Sequence, residues 1–125
     1  MSNKRIFISF AVEDKILRDF LVGQARNDNS SFEFVDMSVK QPWDSSWKTN
    51  CKTRIKGCDG LLAIITNYSL SAIGQLWEIN CAKEEGIPVR GVWGHQNEQP
   101  AVKVMEGTRI VYWTWDNIKD WLNPL

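Results

Sequence analysis

A doubly wound α/β domain is the fold class this sequence predicts, and three observations carry it. Short β-prone apolar runs alternate with helix-period stretches along the whole chain. Several of those runs are continuously apolar, as strands covered on both faces are. The length of 125 residues suits one domain rather than two. The expectation is a single domain over residues 1–125: a flavodoxin-like three-layer sandwich whose five-stranded parallel sheet has the order 2-1-3-4-5, with helices on both faces.

The elements follow in order. Ile6-Phe7-Ile8-Ser9-Phe10 is the first strand, and Ile16, Leu17, Phe20 and Leu21 place an apolar face on the helix after it. Asn27 to Ser31 is turn-rich, and Phe32 to Val35 is strand two. Asp36 to Ser46 has no period and exceeds the usual βα loop of about two to six residues, which makes it a functional candidate. Without a repeating apolar anchor it is expected to be mobile. Trp47, Cys51, Ile55 and Cys58 recur at helical spacing, with Asp44 to Ser46 as capping groups and Gly57 and Gly60 bracketing the stop. Leu61 to Ile65 is the most hydrophobic run and the expected central strand. Ile73, Leu76, Trp77 and Asn80 face one way on a helix that ends near Gly86. Ile87 to Trp93 is strand four, with Pro88 at its start, where a missing donor is tolerated. Pro100 to Glu106 suits a short helix, Thr108 to Trp113 is strand five, and Trp115, Ile118, Trp121 and Leu122 mark a closing amphipathic helix. Tryptophans 47, 113, 115 and 121 are expected in the core.

Composition narrows the function classes. Fifteen basic residues cancel fifteen acidic ones, so no bulk field draws the chain to nucleic acid or a membrane. Cys51, Cys58 and Cys81 are an odd set without metal-type spacing, expected as reduced, buried thiols. The opening residues hold only five apolar-leaning positions before Glu13 and Asp14, so neither a signal peptide nor a membrane span is expected and the placement expected is cytoplasmic. His95 is the lone histidine, which leaves no His-based triad or His-rich metal site. No metal or bound cofactor is expected.

In such sheets ligands bind beyond the carboxyl ends of the strands, near the switch point between strands one and three. The residues there include Ser9, Phe10, Asp36, Trp43, Asn67, Tyr68, Ser71, Gly74, Trp77 and Glu78. Ser71, Gly74 and Glu78 stand three and four residues apart and share one helix stripe, with open space expected at Gly74 one turn before the carboxylate. Glycine inside a helix costs about 0.8–1 kcal/mol relative to alanine, so it invites a packing or ligand explanation. The plain alternative is a solvated glutamate on an ordinary helix. Trp43 and Tyr68 could stack on a ligand ring or pack locally.

Several stretches resemble TIR domains, in particular the small bacterial TIR proteins of Thoeris antiviral systems. Lys4 to Phe10 followed by Glu13-Asp14 resembles their opening strand and acidic helix start. Asp36 with Trp43 to Lys48, Arg54-Ile55 with Cys58 to Thr66, and Trp77-Glu78-Ile79 with Ala82 and Gly86 to Val89 resemble the pieces that follow. The resemblance covers about residues 4–93. It implies a catalytic glutamate at Glu78 and cleavage of the nicotinamide–ribose bond of NAD+, here a substrate rather than a cofactor. The product would be ADP-ribose or a cyclic ADP-ribose-type signal read by a downstream effector. It also implies self-association, with substrate contacts at Ser9, Phe10, Asp36, Trp43, Asn67, Tyr68, Ser71, Gly74 and Trp77. Many enzymatic TIR domains carry an aromatic residue where this chain has Gly74. A non-catalytic TIR interaction module, and a nucleoside deoxyribosyltransferase-like enzyme that also uses a carboxylate on such a sheet, stand as alternatives.

Overall fold

The computed structural model describes residues 4–30 and 32–125; Met1 to Asn3 and Ser31, the last residue of the expected turn, lie outside the described residues. Strands β1 (Arg5–Ser9), β2 (Glu33–Val35), β3 (Gly60–Ile65), β4 (Val89–Trp93) and β5 (Ile110–Tyr112) alternate with helices α1 (Lys15–Asn27), α2 (Ser45–Lys56), α3 (Ile73–Glu84) and α4 (Trp115–Leu122). The five strands form one sheet in the order β2-β1-β3-β4-β5, and every neighbouring pair is parallel. That is the predicted order, and it puts the switch point between β1 and β3.

Strand alternation sorts the core into two layers. Phe7, Leu61, Ala63 and Ile65 point to one face, where they meet Trp47, Cys51 and Ile55 of α2 and Ile79 and Ala82 of α3. Ile6, Ile8, Leu62, Ile64 and Val92 point to the other, against Leu21 of α1 and Ile118, Trp121 and Leu122 of α4. Both faces of β3 are fully buried, as its unbroken apolar run requires. Burying each of these aliphatic side chains is worth about 1.5–3 kcal/mol. The Asp44 carboxylate caps α2 by accepting from the Trp47 amide at 2.8 Å. All three cysteines are free and buried. Trp47 and Trp121 are buried, while Trp113 and Trp115 pack half-buried against the α1/α4 layer. No helix among the described residues is long and apolar enough to cross a membrane.

Three local expectations fail. On α1, Leu17, Leu21 and Ala25 make the inward stripe, while Ile16 and Phe20 are 70% and 64% exposed. Positions one residue off a four-residue stripe lie about 100° around the helix, and the sheet covers only the narrow stripe. On α3, Ile73 and Asn80 are exposed, and Gly74, Gln75, Glu78, Ile79 and Ala82 form the buried face. The polar stripe therefore faces inward. Between Pro100 and Glu106 only Lys103–Met105 winds, as a single 3-10 turn, because Val102 is still extended at φ −93°, ψ 114°.

Gly91 in β4 shows how tightly the α2/α3 layer is filled. A Cβ there would sit 2.7 Å from Met105 Cε and 2.9 Å from Ile110 Cγ1. Gly91→Ala is therefore expected to lower stability by about 1–3 kcal/mol, read from urea unfolding. An unchanged midpoint would show that Met105 has room to move aside.

Candidate active site

The carboxyl ends of β1 and β3 meet the N-terminal half of α3 in a knot of buried polar groups. Glu78 is fully buried there. Its Oε1 accepts from Ser9 Oγ at 2.8 Å, and its Oε2 accepts from Lys40 Nζ at 2.7 Å. The Lys40 side chain is itself only 4% exposed, and its ammonium lies 4.2 Å from the centre of the Phe10 ring. Gln75, one turn before Glu78, donates from Nε2 to the carbonyls of Ile64 at 2.8 Å and Ser9 at 3.1 Å, which ties α3 to both strand ends.

Burial pushes the Glu78 carboxyl up to about 7, against the opposing pull of the Lys40 ammonium and the Ser9 hydroxyl. A carboxyl poised there changes charge near neutrality, a common property of functional acids. The plain alternative of a solvated glutamate on an ordinary helix is thus overturned: Glu78 is a buried, paired group. Ser71 is not on its helix, because it ends the 3-10 turn Asn67–Ser71 that precedes α3.

Gly74 is explained by the same pair. A Cβ at Gly74 would stand 2.7 Å from Lys40 Cβ, so the missing side chain admits the lysine stem rather than leaving open space. Lys40 was missed in the sequence, although it is the lone Lys or Arg between Asp36 and Ser46. A single cation in an aperiodic loop, opposite a helix with glycine one turn before a carboxylate, is the signal that would have found it.

The 36–46 segment is also better anchored than expected. Met37 and Pro42 are buried, Trp47 Nε1 donates to the Val39 carbonyl at 2.6 Å, and Arg54 Nη1 donates to the Asp36 carbonyl at 2.7 Å. The Asp36 carboxylate pairs with Arg18 Nη1 at 2.6 Å. Trp43, by contrast, is 75% exposed.

A cavity of about 220 Å³ opens outside the Lys40 stem, lined by Val12, Lys40, Trp43, Ile73, Gly74 and Gln75 among others. Ser71 and Gly74 line it too, so Trp43, Ser71 and Gly74 are the predicted residues that meet there. Ser9 reaches the site through Glu78. Phe10 is fully buried beneath the lysine, and Asp36 is engaged by Arg18. Asn67 and Tyr68 lie on the exposed turn after β3 and do not line the cavity. The Trp77 ring packs edge-on against Trp47, centroids 5.4 Å apart, and joins α3 to α2 instead.

A second buried carboxylate escaped the sequence reading as a site feature. Asp14 accepts from the Thr66 hydroxyl at 2.5 Å, linking the turn after β1 to the end of β3, and burial raises its pKa. Among the described residues no group of three His, Cys, Asp or Glu side chains is arranged to hold a metal ion.

No family model and no curated protein matches this chain. Among solved structures it is similar to a 3-dehydroquinate dehydratase-like protein from Bifidobacterium longum, with a TM-score of 0.51 and 9% identity over 99% of this chain and 94% of that one. At that identity the likeness shows the α/β fold alone.

Proposed function

We propose that this chain is a TIR-type NAD+ nucleosidase or cyclase with Glu78 as its catalytic carboxylate. One observation carries the reading: the carboxylate predicted from the TIR resemblance lies buried at the switch point, oriented by Ser9 and paired with Lys40, which in turn lines a cavity edged by Trp43.

The chemistry suits a single carboxylate. The bond between ribose C1′ and the nicotinamide nitrogen breaks, and its electron pair neutralises the pyridinium ring. Positive charge then develops on the ribose, where an ionised Glu78 would stabilise it. Water adding at C1′ loses one proton and gives ADP-ribose; the adenosine part of the same molecule adding there gives a cyclic product. In the paired state the Lys40 ammonium holds the place of a cation beside Glu78, and a cationic nicotinamide riboside can take over that charge once Lys40 withdraws. Ligand pockets usually measure about 300–1,000 Å³, so the 220 Å³ cavity holds one ring, and a dinucleotide needs that withdrawal.

Mass spectrometry of NAD+ incubated with concentrated protein tests the reading. Free nicotinamide together with an ADP-ribose species supports it, and intact NAD+ overturns it. The buried Lys40–Glu78 pair favours a second reading, a non-catalytic TIR module in which the carboxylate serves only to dock the loop. A nucleoside deoxyribosyltransferase would instead exchange bases on a deoxynucleoside.

Self-association and a downstream effector for the product belong to the same proposal. The exposed Val12, Ile16, Phe20 and Trp43 supply apolar surface for a second copy, and zero net charge offers little long-range repulsion. Specific activity is expected to rise with protein concentration, and Trp43→Ala should depress that rise more than it depresses stability. Flat specific activity over a hundredfold dilution, with a monomeric mass throughout, would mean each chain holds a complete site.

A further inference from the structure

We infer that Gln75 is the specificity-determining residue of this cavity, its side-chain oxygen accepting a hydrogen bond from the primary amide of the leaving ring. The inference rests on the nucleosidase reading and adds a substrate requirement to it.

Gln75 is almost wholly buried, and its Nε2 is saturated by the Ile64 and Ser9 carbonyls. Its Oε1 is buried without a hydrogen-bond partner among the described residues. Leaving a buried acceptor unmade costs on the order of 1–3 kcal/mol, so such groups call for an explanation. The two bonds from Nε2 also fix which end of the amide is which, because the carbonyls of Ser9 and Ile64 can only accept. The orphan is therefore an acceptor, and it seeks an N–H or O–H.

Its position supplies the ligand. Gln75 lines the cavity and stands three residues before Glu78 on the buried face of α3. Ser9 joins the two, donating its hydroxyl to Glu78 and receiving Gln75 Nε2 on its carbonyl. With Lys40 paired, Glu78 and Gln75 Oε1 are both closed to the solvent. The contact therefore forms on the Lys40 withdrawal that the nucleosidase reading already requires, when a ring leaving from a bond beside Glu78 departs along the buried α3 face that carries Gln75. Nicotinamide carries an amide N–H₂ for that acceptor. Nicotinic acid carries only acceptor oxygens and a negative charge, and would oppose it.

The test compares NAD+ with nicotinic acid adenine dinucleotide on the wild-type protein and on Gln75→Met. The intrinsic difference between the two leaving groups is common to both proteins and cancels in the ratio. Wild type is expected to prefer NAD+ in kcat/KM by roughly thirtyfold more than the variant does, as one buried acceptor facing the wrong group implies. An equal preference in both proteins overturns the inference and leaves the nucleosidase reading standing. If neither dinucleotide is cleaved, that reading fails. The cavity is then judged by NMR titration of isotope-labelled wild-type protein with free nicotinamide and free nicotinic acid, which also decides the matter should Gln75→Met not fold. Shifts at Gln75 and Gly74 with nicotinamide only sustain the assignment; equal shifts with both, or none with either, overturn it.

Discussion

Glu78→Gln is expected to abolish NAD+ cleavage, with kcat/KM falling at least about 10²–10³-fold. Glutamine keeps the shape and can still accept from Ser9 Oγ, but it brings no negative charge to the ribose cation. Residual activity within about tenfold, under 1.4 kcal/mol of barrier, would remove Glu78 from the catalytic role. The substitution is not silent for folding, as a surface carboxylate would allow. It takes the partner from a lysine whose side chain is 4% exposed. Lys40 lies on a segment edging an open cavity, so its ammonium can swing to water, and the expected loss is about 1–3 kcal/mol rather than unfolding. A thermal melt alongside the assay separates loss of charge from loss of structure.

Legibility in the sequence followed the physics of each level. The apolar runs of β1 and β3 and the period of α2 came directly from residue pattern. The doubly wound sheet came from the handedness and burial rules that constrain parallel sheets, within which the flavodoxin-like order was the natural choice. Ile16 and Phe20 misled because a pattern of apolar residues says which face is hydrophobic, not how wide a stripe the sheet covers. Glu78 was legible as a position and not as an environment. Its burial depends on Lys40 arriving from 38 residues earlier, a tertiary pairing no local period encodes. Sequence distance likewise hid the Asp14–Thr66 bond, which spans 52 residues. Trp77 shows the converse error: next to Glu78 in sequence, it packs across to Trp47 of α2, because adjacent helical residues lie about 100° apart.

The pair's own test is Lys40→Met, whose cost should depend steeply on pH. Methionine fills the stem's place over Phe10 and beside Gly74 but brings no charge. Without the ammonium, the Glu78 carboxyl loses its largest stabilising influence and moves further above about 7. The folded protein then holds a proton that the unfolded chain has released. In that window stability falls as pH rises, by up to about 1.4 kcal/mol per unit. For the wild type the window runs from the ordinary value of 4.5 to about 7; for Lys40→Met it stays open above 7. The two proteins should therefore differ by less than about 1 kcal/mol at pH 5, where both carboxyls are protonated. They should diverge above pH 7 toward the roughly 3–5 kcal/mol typical of a buried charge that has lost its partner. Urea unfolding from pH 5 to pH 9 reads this directly, and adding Glu78→Gln to the variant should flatten the divergence. A loss equal at every pH would mean that Lys40 serves the fold through its stem alone, and that its charge is not what Glu78 depends on.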